Sequence, residues 1–262
     1  MDLGLKGKCA LVMASSSGLG KAIATEFSRE GAGVMLFSPF PDQLAEAQED
    51  ILKETGNKPA AFEGSITEPK DIKRLVRTTI DRFGPIYALV NNTGGPPAGT
   101  FDSFDDKAWQ DAYELTLLSY IRTIREVLPS MRANGGGRIL NSTSSSVKAV
   151  LDNLILSNTF RMGVVGLAKT LSQELGKENI LVNVIAPGRI GTARIDHLDR
   201  VRAEKAGTTV EAIQQAAFKS IPLGRYGTPD EYGRLSVFLC SAANTFITGQ
   251  TILVDGGMVK AV

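Results

Sequence analysis

The stretch Cys9-Ala10-Leu11-Val12-Met13-Ala14-Ser15-Ser16-Ser17-Gly18-Leu19-Gly20 decides the fold. Its first half, Cys9–Met13, is an apolar run of strand length. Its second half is a serine- and glycine-rich turn, and helical spacing follows over Gly18–Glu30. Glycines at such a turn let the backbone approach a pyrophosphate, and the helix N-terminus adds N–H donors and partial positive charge. A glycine-rich turn alone is a weak signal. One placed after the first strand of a long strand–helix alternation is considerably stronger.

That alternation continues along the chain. Val34–Phe37 precedes a helical pattern over Asp42–Glu54. Ala60–Phe62 precedes one over Glu68–Phe83, and Tyr87–Val90 precedes a long helix predicted over Lys107–Ala133. Arg138–Asn141 leads to a helix near Asn158–Leu175, followed by the runs Ile180–Ala186 and Ile252–Val254. Strands alternating with helices predict an α/β fold, a doubly wound parallel sheet covered on both faces, as one domain over residues 1–262. Gly191–Ser220 breaks the rhythm. It is polar, charged and partly helical, and it follows a strand's carboxyl end, where such sheets bind ligands. It reads as a substrate lid or as a surface excursion.

Composition narrows the function classes. The chain has 262 residues, 43% hydrophobic, with 29 Lys and Arg against 28 Asp and Glu, a formal net charge of +1. No basic excess points to nucleic acid or an anionic membrane. The N-terminus lacks the apolar run of a signal peptide, and no segment is apolar for eighteen residues. A cytoplasmic protein is expected. Cys9 and Cys240 have no metal-ligand spacing and read as buried small residues of a reducing compartment. No His/Cys/Asp cluster suggests a metal, and neither a nucleophile elbow nor an HExxH motif is present.

The motifs together resemble the short-chain dehydrogenase/reductase family over nearly the whole chain, with the 3-oxoacyl-carrier-protein reductase branch as the nearest likeness. Met13–Gly20 stands at the family's Thr-Gly-x-x-x-Gly-x-Gly turn. Val90-Asn91-Asn92-Thr93-Gly94-Gly95 stands at its Asn-Asn-Ala-Gly strand end. Ala186-Pro187-Gly188-Arg189-Ile190-Gly191-Thr192 stands at its Pro-Gly cofactor segment, and Ile247–Gly257 resembles its last strand. The resemblance implies a nicotinamide cofactor held by Ser15, Ser17, Gly18, Leu19, Gly20, Ser38, Ser65, Ile66, Asn92, Gly94, Arg161, Pro187, Ile190 and Thr192. Ser38-Pro39 follows the second strand, where a carboxylate would favour NAD. The arginines of NADP-preferring relatives are absent too, and Ser65-Ile66 replaces the Asp-hydrophobic pair beside adenine. The balance leans to NADP over NAD. The resemblance also implies a homotetramer, built through Lys107–Ala133, Asn158–Leu175 and Gln250–Val254.

The same resemblance exposes a departure. Family members use Asn, Ser, Tyr and Lys. "GRILNSTSS" (Gly137–Ser145) places the serine at Ser144. Thirteen residues on, the Tyr position is Ser157, and four further the Lys position is Arg161. "GVVGLAKTL" (Gly163–Leu171) fixes this register. "WQDAYELTLLSY" (Trp109–Tyr120) puts the Asn position at Thr116. An i to i+4 spacing keeps Ser157 and Arg161 on one helix face. A serine is a poor general acid by itself, and arginine stays protonated, so it binds anions or hydroxyls but cannot shuttle protons.

Three readings stay open. The chain reduces a carbonyl, 3-oxoacyl-like or another small ketone, with Ser144, Ser157 and a water relaying the proton. It reduces an enone-type double bond conjugated to a carbonyl, with Arg161 and the serines holding an enolate. Or it binds nucleotide without turnover as a regulatory subunit. Lys148, Arg161 and Arg189 read either as a cationic pocket for an anionic small-molecule substrate or, for Lys148 and Arg189, as solvated or acid-paired side chains. His197 is a proton donor in the lid or a solvated residue. Tyr113 and Tyr120 can replace the missing phenol or simply pack. Gly94–Gly99 reads as a rigid wall of the pocket.

Overall fold

The computed structural model describes residues 2–261. Seven strands, β1 (Cys9–Val12), β2 (Gly33–Ser38), β3 (Ala60–Glu63), β4 (Ile86–Asn91), β5 (Gly137–Ser142), β6 (Ile180–Pro187) and β7 (Thr251–Val254), form one sheet in the order β3-β2-β1-β4-β5-β6-β7. Every pairing is parallel. Successive strand residues point to opposite faces, so each strand feeds two cores. Ala10, Val12, Val34 and Leu36 pack on one face with Ile23, Phe27 and Tyr232. Leu11, Met13, Met35 and Leu89 pack on the other with Leu75, Val127 and Ala168.

The helices are α1 (Gly18–Arg29), α2 (Pro41–Thr55), α3 (Pro69–Phe83), α4 (Asp106–Tyr113), α5 (Ser119–Ala133), α6 (Ile155–Leu175), α7 (Ala193–Ala206), α8 (Val210–Ser220) and α9 (Pro229–Leu239). The sheet and its helix layers match the predicted doubly wound α/β fold. Three details differ. The helix expected to run unbroken over Lys107–Ala133 carries a π-turn, Glu114–Leu118, between α4 and α5. Such an inserted residue re-aims side chains and is frequent at functional sites. The helix expected from Asn158 begins at Ile155. Finally, α9 has no counterpart in the sequence reading. Pro229 at its start and Gly233 inside it disguise a helix whose N-terminus is closed by a Thr228–Glu231 capping box. Gly233 is there for contact, since a Cβ would sit 2.9 Å from Glu26 Cγ and 3.0 Å from Ala22 O of α1.

The segment 191–220 folds as α7 and α8, which pack on each other after β6. Among their residues only Asp199 and Ala203 are buried. No helix among the described residues is long and apolar enough to cross a membrane. The described residues hold no group of three or more His, Cys, Asp or Glu side chains suited to a metal.

Candidate active site

Strand order reverses between β1 and β4, and the main cavity, about 480 Å³, lies at the carboxyl ends of the strands there. A doubly wound sheet opens a crevice at this point because consecutive crossovers leave in opposite directions. Nine of the expected cofactor residues line it: Ser17, Gly18, Leu19, Ser38, Ser65, Ile66, Asn92, Gly94 and Thr192.

The turn that floors the cavity is built for close approach. Ala14 has φ +47°, a left-handed conformation that costs a residue with a Cβ. It stands at the first glycine of the family's turn pattern. Asn92 supports it, its Nδ2 donating to Ala14 O at 3.2 Å. At Gly20 a Cβ would collide with the Ala14 carbonyl, so only glycine lets α1 start this near the strand. Gly20 therefore shapes the floor from beneath and does not line the cavity.

Ser15 is a correction. Its hydroxyl donates to Val12 O at 2.8 Å and accepts from Phe37 N at 3.0 Å, stitching β1 to β2 with nothing left for a ligand. Pro187 and Ile190 also stand away from this cavity. Pro187 ends β6 in register with Val254. Ile190 bridges to Gly227 and lines a separate cavity of about 170 Å³. The sequence reading missed Ser16, whose Oγ donates to Ser38 Oγ at 2.9 Å and approaches Gln43 Oε1 at 3.2 Å. Phe40, Gln43, Leu115 and Arg194 complete the wall. Arg194 left no signal, because its role depends on a contact with Gly95, about a hundred residues earlier.

At the four positions that the family resemblance proposes as the catalytic set the arrangement is as follows. On α6, Arg161 Nε donates to Ser157 Oγ at 3.2 Å, and both residues are buried. Arg161 Nη1 donates to Ser142 O at 3.3 Å. Ser144 lies two residues beyond β5, its Oγ accepting from Ser146 N at 3.1 Å. Both serine oxygens thus accept from a neighbouring N–H, and neither hydroxyl hydrogen has an acceptor among the described residues. Thr116 is different. It is fully buried in the π-turn, and its Oγ1 donates to Ala112 O at 2.5 Å, so its hydroxyl serves its own helix. Thr116, Ser144, Ser157 and Arg161 all lie outside the lining of the main cavity.

The other candidates separate cleanly. Tyr120 donates to Ser142 O at 2.8 Å, and burial pushes its phenol up to about 12, against the smaller pull of Arg161. Its hydroxyl hydrogen is held by that carbonyl, so Tyr120 serves packing at the end of β5. Tyr113 packs on Phe160. Arg189 is not free for a substrate: it pairs with the buried Asp199 at 3.2 Å and lies over the Tyr226 ring. Lys148 and His197 are exposed. Gly99 N donates to Asn153 O at 2.8 Å, so the Gly94–Gly99 loop is clamped to the start of α6 as a wall. Cys9 and Cys240 are buried, and burial pushes both thiols up to about 12, which makes them poor nucleophiles.

Comparison with known proteins agrees with this geometry. Residues 13–259 match a family model described as Enoyl-(Acyl carrier protein) reductase. The 7alpha-hydroxysteroid dehydrogenase of Escherichia coli is 32% identical over 259 residues, 99% of this chain and 97% of that one. The 3-oxoacyl-(acyl-carrier-protein) reductase of Thermotoga maritima is 32% identical over 260 residues, 97% of this chain and 99% of that one. The L-sorbose reductase of Gluconobacter frateurii, solved with NADPH and L-sorbose, superposes with a TM-score of 0.95 at 32% identity, covering 100% of both chains. With its parallel sheet, its glycine turn at the point of strand reversal and these relatives of full length, the chain belongs to the short-chain dehydrogenase/reductase family.

Proposed function

We propose that this protein is an NAD(P)-dependent oxidoreductase that transfers hydride between nicotinamide and a small ketone, 3-oxoacyl-like or of similar reach, at a site formed by Ser144, Ser157 and Arg161. The observation that carries this reading is the cavity at the strand reversal, floored by the Ala14–Gly20 turn. Its residues fit a dinucleotide. Ser17, Gly18 and Leu19 at the start of α1 offer a pyrophosphate backbone donors. Ser65 and Ile66 flank the place for adenine, and Asn92 and Gly94 lie towards the nicotinamide. No carboxylate lines the β2 end, where Ser16, Ser38 and Gln43 form a neutral trio, so a 2′-phosphate meets no repulsion. This supports NADPH over NADH, as in the sorbose reductase complex.

When bound, reduced nicotinamide supplies the hydride. The chain's own residues must then stabilise negative charge growing on the substrate oxygen. Ser144 and Ser157 keep their hydroxyl hydrogens available for this task, since each oxygen already accepts from an N–H and neither hydroxyl donates to another described residue. Arg161 polarises Ser157 through its Nε donor and adds a fixed positive charge. Because arginine does not give up its proton, the proton passes from a serine hydroxyl to the alkoxide and is replaced from solvent.

A second reading has its own support. A fixed cation beside two hydroxyls suits an enolate as well as an alkoxide, and the matching family model carries an enoyl reductase description. In conjugate reduction the carbon would take its proton from solvent. The segment 191–220 then serves as a lid over either substrate, hinged after β6. The proposed assembly is a homotetramer, supported by Phe101 and Met162, which are exposed beside α4 and on α6; light scattering in solution tests it.

The test is turnover. NADPH and NADH are incubated with β-ketoacyl thioesters, quinones and enones, and loss of reduced-nicotinamide absorbance is followed. Oxidation with a ketone or thioester supports carbonyl reduction, and oxidation with enones alone supports the second reading. Saturable cofactor binding with no turnover on any of them sinks both and leaves a nucleotide-binding subunit.

A further inference from the structure

Arg161 is a cation without a counter-charge. It is 7% exposed, and its guanidinium donates to Ser157 Oγ and Ser142 O and lies beside the Tyr120 phenol, with no carboxylate paired to it and no hydrogen bond from Nη2 among the described residues. Burying a cation without a carboxylate is costly, and proteins normally pair it. Arg194 adds a second charge. It lines the cavity wall and makes neither a hydrogen bond nor an ion pair among the described residues. Its guanidinium lies on the chain at Gly95, where a Cβ would stand 2.6 Å from Nη2, so glycine there opens the space it occupies. Ser142, which Arg161 touches, follows Asn141, the partner of Asn91 in the β4–β5 register, and Gly95 lies four residues beyond Asn91, so both guanidiniums stand at the same end of the sheet. The surrounding protein and, second, the charge of Arg161 push the Arg194 pKa down, in keeping with that placement. No acidic residue lines the cavity.

We propose that Arg161 and Arg194 form an oxyanion subsite that holds a carboxylate of the substrate close to its reacting carbonyl. The inference rests on reading the cavity as an NAD(P) site. Arg194 offers a carboxylate a planar fork of donors and Arg161 adds its unpartnered Nη2, and an anion between them relieves both the buried charge and the mutual repulsion. The substrate class is then a keto acid or its unsaturated counterpart, not a neutral steroid or sugar. A cofactor phosphate is the rival source of oxyanion, because a Cβ at Gly18 would lie 3.9 Å from Thr192, so α7 begins near the phosphate end as well.

The experiment compares oxamate with oxamide, which differ by a carboxylate against an amide. Each is titrated calorimetrically into the full chain, both free and saturated with NADPH, after NADPH affinity has been measured by itself. Oxamate is expected to bind about tenfold or more tightly than oxamide. In Arg194→Gln that preference should vanish, and the loss of oxamate affinity should exceed any loss of NADPH affinity by about tenfold or more. Equal binding of oxamate and oxamide, or no binding of either, overturns the subsite even if NADPH binds normally. A loss of NADPH affinity in Arg194→Gln equal to the loss for oxamate also overturns it, by assigning the arginine to a cofactor phosphate. Oxamate preference in a chain that binds neither NADPH nor NADH upholds the subsite and overturns only the cofactor reading.

Discussion

Arg161 Nε donates to Ser157 Oγ across one turn of α6, 3.2 Å apart, at the two positions that the motif spacing assigns to the family's lysine and tyrosine. The bond reverses the usual economy of such a pair. A phenol beside a lysine is tuned to exchange a proton, whereas a serine beside an arginine is held and polarised. Arg161 therefore contributes charge and orientation, and the fold gains little from it.

This separates function from stability. Replacing a buried, unpaired cation by an apolar side chain of similar length removes a desolvation penalty. Arg161→Met is expected to leave the thermal midpoint unchanged or raise it, while kcat/KM falls by about a hundredfold or more. Calorimetric melting alongside steady-state kinetics checks both halves. A variant that melts well below the parent would show that Arg161 supports the core.

The turn beneath the cavity makes two opposite predictions. Ala14 is held at φ +47°, so Ala14→Gly should relieve about 1 kcal/mol of strain and raise the midpoint by ~2–4 °C. At Gly20 the added methyl meets the backbone carbonyl of Ala14, which cannot swing aside. Gly20→Ala should weaken NADPH binding by about tenfold or more, because the turn must open to admit the methyl. Fluorescence titration of the cofactor reads the second effect and melting reads the first.

Asp199 anchors the segment 191–220. It is fully buried, accepts from Arg189 and from Tyr226 OH at 2.7 Å, and is one of only two buried residues in α7 and α8. Asp199→Asn keeps the shape but strips Arg189 of its counter-charge, a change that costs about 3 kcal/mol when the pair is buried. Few other contacts hold these helices, so the loss should appear as local opening. Hydrogen exchange is expected to quicken in 193–220 and to stay slow in β1, β4 and β5.

Glu231 sets an acid-side dependence. Arg225 and the capping contacts with Thr228 draw its carboxyl down to about 2. A group whose folded pKa is depressed stabilises above its unfolded value and loses that contribution as pH falls through the folded one. The parent should thus be more stable than Glu231→Gln near neutral pH, by no more than ~1 kcal/mol, because the pair is exposed and solvent screens it. The difference should shrink as pH drops from the ordinary glutamate range towards about 2. Urea melts at several pH values measure it, and a difference that grows on acidification would contradict the assignment.

Local pattern was legible in the amino-acid order because its causes lie within a few residues of each other. Apolar runs of strand length, helical spacing and the Ser15–Gly20 turn foretold a doubly wound sheet and most of the cavity wall. The thirteen- and four-residue spacings placed Ser144, Ser157 and Arg161, and helix geometry alone put the last two in contact. Features that depend on distant pairs stayed hidden. Ser15 looked like a ligand donor until β2 brought Phe37 to its hydroxyl. Arg189 looked free until Asp199 and Tyr226 folded onto it. The π-turn at Thr116 and the helix over Pro229–Leu239 depended on packing against α6 and α1 and left no periodic trace. By itself, then, the sequence determined the sheet, the glycine floor and the shared helix face of Ser157 and Arg161. Only the tertiary structure decided that Arg161 lies buried without a carboxylate and that Arg194 lies against Gly95. Counter-charge is a matter of neighbours in space, and no spacing along the chain records which neighbours are absent.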